Sequence, residues 1–123
     1  MAKQNEFVTY LLELLEPLGP VQARAMFGGF GIYLKGIMFG LVADGTLYFK
    51  VDERNRPDYE ERGLGPFTYQ RGTSKFAMSY YRAPAEAVDD ARDLCAWGNK
   101  AYDAAVRVGG GDQGKKSGKE GPL

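Results

Sequence analysis

RAMFGGFGIY, residues 24–33, sets three glycines within four positions inside an aromatic run. Before the glycines, Val21, Ala23, Ala25 and Phe27 place small or apolar side chains at odd positions; after them, Phe30, Ile32 and Leu34 place them at even ones. The apolar face slips by one residue at Gly28 and Gly29. A β-bulge produces such a slip, because one extra residue restores the side-chain phase and glycine tolerates the dihedrals involved. The segment therefore reads as a single strand bent by a structural bulge at Gly28, Gly29 and Gly31. A phosphate-binding loop does not fit. Gly29-Phe30-Gly31 lacks the third glycine of a dinucleotide fingerprint, and the next residues, IYLKG, continue as a strand instead of opening a helix.

Downstream, Lys35-Gly36 turns the chain into IMFGLVA, and Asp44-Gly45 is a strong two-residue hairpin signal before TLYFKV. The result is a three-stranded meander. Ile37 to Ala43 is apolar at every position, so both faces of this strand call for cover, and a homodimer is expected to supply the second. Upstream, Phe7, Tyr10, Leu11, Leu14, Leu15 and Leu18 recur at helical spacing until Gly19-Pro20. Beyond the meander, Asn55 caps a short helix with Pro57 in its first turn, Tyr59 inward and Gly63 as its stop. Two strands follow, at 67–71 and 75–82, and then a helix that starts near Pro84 or Asp89 and reaches about Val106. Residues 109–123, GGGDQGKKSGKEGPL, read as a disordered polar tail after a domain spanning 1–108.

The composition excludes more than it proposes. The chain has 123 residues, no histidine and one cysteine, Cys95. Imidazole-dependent triads and the commonest metal ligand are gone, a disulfide within the chain is impossible, and Cys95 in a helical apolar pattern reads as a structural thiol. No catalytic residue, metal or cofactor is expected. No signal-peptide core and no long apolar span is present, so the expected compartment is the cytoplasm and no membrane partner is foreseen.

Sixteen Lys and Arg balance sixteen Asp and Glu. Zero net charge argues against a module that lives on nucleic-acid phosphates, so direct DNA binding is expected to be weak or absent. One stretch argues the other way. FTYQRGTSKFAMSYYR, residues 67–82, holds five aromatic rings and three cations with no acid. Arg71, Lys75, Tyr81 and Arg82 are its candidate partner-binding or nucleic-acid-binding residues, since aromatics interleaved with positive charge can stack bases while pairing phosphates. Against that stands the plainer reading of an aromatic-faced hairpin with solvated charges.

The residues RAMFGGFG, LYFKVDERNR, PFTY and SYY, in the order helix, meander, helix, two strands, helix, resemble the N-terminal domain of the TfoX/Sxy family over roughly residues 7–106. The resemblance implies a two-layer α+β domain, in the order α-β-β-β-α-β-β-α, with helices on one face of an antiparallel sheet as in secretion chaperones. It implies a bacterial regulator of natural competence, a co-activator beside the cyclic-AMP receptor protein that works through protein partners such as the transcription machinery and not as an enzyme. Members carry a second, C-terminal domain. This chain reads as a stand-alone form, with its glycine-rich tail where that domain would begin.

Overall fold

Met26 lies directly opposite Gly29. The chain therefore reverses at the glycines instead of running through them, with Gly28 at a φ of +76°. The computed structural model describes residues 2–26 and 28–110. Its six strands are β1 (Val21–Met26), β2 (Gly29–Leu34), β3 (Ile37–Ala43), β4 (Thr46–Lys50), β5 (Pro66–Arg71) and β6 (Ser74–Arg82). All pairs are antiparallel, in the order β1-β2-β3-β4-β6-β5. The expected bulge at Gly28, Gly29 and Gly31 is thus a hairpin, and the expected three-stranded meander has four strands. The reason is geometric. In a hairpin with a two-residue connection, partners differ in parity, as Val21 with Leu34 and Ala23 with Ile32 do. Inward residues then switch from odd to even without an extra residue in either strand.

A bulge does exist, one strand further on. Ile32 pairs with Gly40 and Tyr33 with Met38, leaving Phe39 as the additional residue of β3. The local bend turns Phe39 toward the helices, where it is fully buried. Its ring stacks on Phe49 at 6.3 Å and meets Tyr102 edge-on at 5.9 Å. The helices are α1 (Ala2–Leu14), α2 (Arg56–Glu60) and α3 (Ala91–Ala105). Their apolar stripes and one sheet face share a core that includes Leu11, Leu15, Ile32, Phe49, Tyr59 and Leu94, all fully buried. Each such side chain stabilises the fold by about 1.5–3 kcal/mol relative to exposure. Helices on one face of an antiparallel sheet make this an α+β fold of two layers.

Local chemistry sets the helix ends. Asp90 accepts from the Asp93 N–H at 3.1 Å and caps α3, so Ala85–Asp89 forms a separate 3-10 turn before it. Gly98 lets α3 approach Leu15, Leu18 and Phe39, whose atoms a Cβ there would meet at 3.2–3.6 Å. The half-buried Cys95 thiol donates to the Leu14 carbonyl at 3.2 Å, joining α3 to α1, and burial raises its pKa. Val106–Gly110 continues α3 as a π-helical turn. The rest of the expected tail, 111–123, lies outside the described residues.

Asn55, expected to cap α2, makes no capping bond. It reaches back instead, accepting from the Asp52 N–H at 2.8 Å and donating to the Lys50 carbonyl at 3.0 Å. Asp52 in turn takes a two-pronged grip from Arg107, at 2.5 and 2.8 Å, which ties the end of β4 to the turn after α3. The Arg107 guanidinium holds the Asp52 carboxyl down at about 2. Lowered in the folded state, this pKa contributes stability above the ordinary value near 3.8, and that contribution is lost as pH falls toward 2. Denaturant midpoints measured from pH 6 downward should fall through this window in the wild type. Asp52→Asn should be less stable at pH 6 and lose less across the same range, whereas parallel curves would show that the pair does not act on folding.

Candidate functional site

The sheet has a second face, and its residues follow from alternation along each strand. Leu41 lies opposite Tyr48, Tyr48 opposite Arg82, and Lys50 opposite Tyr80. Leu41 and Tyr80 are buried, at 4% and 8% exposure, yet neither belongs to the helix-side core. Their cover comes from neighbours on the same face. The Lys50 ammonium sits 5.1 Å from the Tyr80 ring centre, and the Tyr80 hydroxyl donates to the Met38 carbonyl at 3.4 Å. Burial, with Tyr33 nearby, pushes the Tyr80 phenol up to about 12. A Cβ at Gly31 would meet the Met26 and Met38 sulfurs and the Tyr33 ring. Part of the cover expected from a second copy is therefore supplied within the chain.

Beyond β4 the face continues onto an arm. β6 pairs with β4 only at residues 80–82, so the rest of the β5–β6 hairpin extends past the body, and residues 68–77 are all exposed. Tyr48, Phe67, Tyr69 and Phe76 form an unbroken row of rings along this face, with successive centres 5.1, 6.5 and 5.5 Å apart. Tyr69 and Phe76, at the outer end, are 40% and 44% exposed. At the root of the arm a shallow cleft of about 370 Å³ opens between Tyr48, Leu64, Pro66 and Arg82.

Charge is divided between the layers. The six strands carry Arg24, Lys50, Arg71, Lys75 and Arg82 and no acidic residue. Every Asp and Glu among the described residues therefore lies outside the strands. Arg24 stands 4.7 Å from the Tyr33 ring centre, on the helix-free face. Lys50 donates to the Ser79 hydroxyl at 2.6 Å; burial lowers its pKa, opposed by Asp52.

Of the residues singled out from sequence, Arg71 and Arg82 lie on this face by alternation, beside the ring row. Lys75 alternates to the other side of the arm. Tyr81 turns to the helix side, its ring 5.9 Å from that of buried Tyr59, and so parts from the other three. Tyr48, Tyr69, Phe76, Arg24 and Lys50 were not named from sequence as members of one surface. Period two placed each on some face, but only strand order brings them to the same one. Among the described residues no group of three or more Cys, Asp or Glu could hold a metal ion. No helix among them is long and apolar enough to cross a membrane.

Residues 13–105, from the end of α1 through the last residue of α3, match the TfoX N-terminal domain family. The chain belongs to this family. Over 67 residues it is 33% identical to "DNA transformation protein TfoX1" of Aliivibrio fischeri, an alignment covering 54% of this chain and 32% of that protein. Over 95 residues it is 24% identical to "Protein Sxy" of Escherichia coli, covering 77% of this chain and 46% of that protein. The chain thus spans about a third of the length of the first relative and just under half of the second. The TfoX N-terminal match takes in the entire sheet, so the ring row and its arm lie within the family's own domain.

Proposed function

We propose that the chain is a non-enzymatic regulatory module of the competence-regulator kind, and that it works by contact through the helix-free face of its sheet. One observation carries this reading. A face that combines an exposed aromatic row, thioethers and arginines, on strands that carry no acidic residue, has the composition of a binding surface and not of an ordinary solvated sheet face. Membership in a family whose relatives include a DNA transformation protein supports the regulatory part.

The test is genetic. Transcripts that change when the gene is deleted from the source cell define the output. Joint reversal of Arg24 and Arg82 to glutamate should reproduce the deletion profile while the purified variant keeps its thermal midpoint. Reversal of exposed Arg92 on α3 should complement fully. If the face variant complements as well as the wild type, the helix-free face is not where this protein acts.

A further inference from the structure

From the ring row and the division of charge we infer that the occupant of the helix-free face is a single-stranded nucleic acid. This rests on the reading of that face as the binding surface and names its ligand.

Zero net charge argues against nucleic acid only where charge is spread evenly over the surface. A phosphate backbone meets one face, not the sum over the molecule. The strands carry five cations and no acid, and Arg24, Lys50, Arg71 and Arg82 share the helix-free side. Asp52, whose charge acts on Lys50, is itself engaged by Arg107.

The rings decide between nucleic-acid forms. Phe67 stacks on Tyr69 and Tyr69 on Phe76, with interplanar angles of 19° and 29°. Their outer members, Tyr69 and Phe76, are exposed among the described residues. Unstacked bases can lie on such rings whatever their identity, because every base has a π-face. A two-stranded ribbon can enter a duplex major groove, but there it meets base edges, because a duplex keeps its base faces inside its own stack and gives exposed rings nothing to stack on. An acidic peptide would satisfy the cations but gives the row of exposed rings nothing to stack.

Fluorescence anisotropy with a labelled oligothymidine of about twenty nucleotides, and with a duplex of the same length, across a salt series, tests this. Single-stranded binding should be at least about tenfold tighter than duplex binding. Its log–log salt slope should become shallower by about 1.4 in the Arg71→Ala/Arg82→Ala variant, at roughly 0.7 per lost phosphate contact. Tyr69→Ala/Phe76→Ala should weaken binding by about 10- to 100-fold, while Tyr69→Phe/Phe76→Tyr, which keeps both rings, should bind as the wild type does.

Equal affinity for duplex, absence of binding, or indifference to loss of the two rings would each overturn the inference. The expression profile then separates the two claims. If the ring-deleted variant binds no less tightly than the wild type, or neither binds, yet that variant still mimics the deletion, the face is a contact surface for protein or for a second copy and only the ligand is wrong. If that variant and the Arg24/Arg82 variant both complement, the face itself is wrong.

Discussion

Replacing Gly29 with valine is expected to destabilise the domain by about 3 kcal/mol, the upper end of the cost of overpacking. Any Cβ at position 29 runs into the carbonyl oxygen of Val42 and comes within 3.4 Å of the Ala43 Cα. Those atoms cannot give way, because Val42 is paired with Phe30 on one side and Leu47 on the other and is fully buried. The neighbouring glycines provide the contrast. A Cβ at Gly31 would meet sulfur atoms and a ring edge, the ends of movable side chains, and Gly31→Ala should cost about 1 kcal/mol. Gly28 has open space around it but a φ of +76°, so Gly28→Ala should cost about 1 kcal/mol through backbone strain. Guanidinium unfolding midpoints rank the three. A Gly29→Val variant as stable as Gly28→Ala would mean that β2 and β3 do not approach as closely as described.

Replacing Asn55 with alanine is the second large effect, a loss of about 2–3 kcal/mol. At 4% exposure Asn55 is the one buried polar or charged residue among those described, and both ends of its amide are used. Truncation strands the Asp52 N–H and the Lys50 carbonyl, and a buried polar group left unpaired costs about 1–3 kcal/mol. Asn55→Asp separates the two bonds: a carboxylate still accepts from the Asp52 N–H but cannot donate to the Lys50 carbonyl, so it should fall between wild type and alanine. Thermal or denaturant unfolding reads both. An alanine variant within about 0.5 kcal/mol of the wild type would show that water replaces the amide at little cost.

Neither effect is visible from local pattern. Asn55 sits where helix-capping chemistry belongs, directly before Arg56-Pro57, and from sequence it reads as a cap. Its amide turns backward because the end of β4 passes within reach and offers two backbone groups, a juxtaposition created by folding. The glycine run misleads for a related reason. A one-residue change of apolar phase has two physical sources, an inserted residue and a two-residue reversal, and period two cannot tell them apart. The real bulge at Phe39 escapes notice because β3 is apolar at every position and has no phase to lose.

The binding face shows the same division. Local chemistry already placed the three helices and most of the strands, the inward Tyr59 and the aromatic, acid-free character of the 67–82 segment, because turn residues and side-chain periodicity act over a few neighbours. Even the family was legible in short motifs. Which rings share a surface, that Tyr81 leaves it, and that Arg24 and Lys50 join it, all depend on the strand order β1-β2-β3-β4-β6-β5. Alternation gives each strand two faces but does not say which one the helices will cover. That choice is made once, by the packing of α1, α2 and α3 against Ile32, Phe39 and Phe49, and everything on the opposite side becomes a surface in the same step.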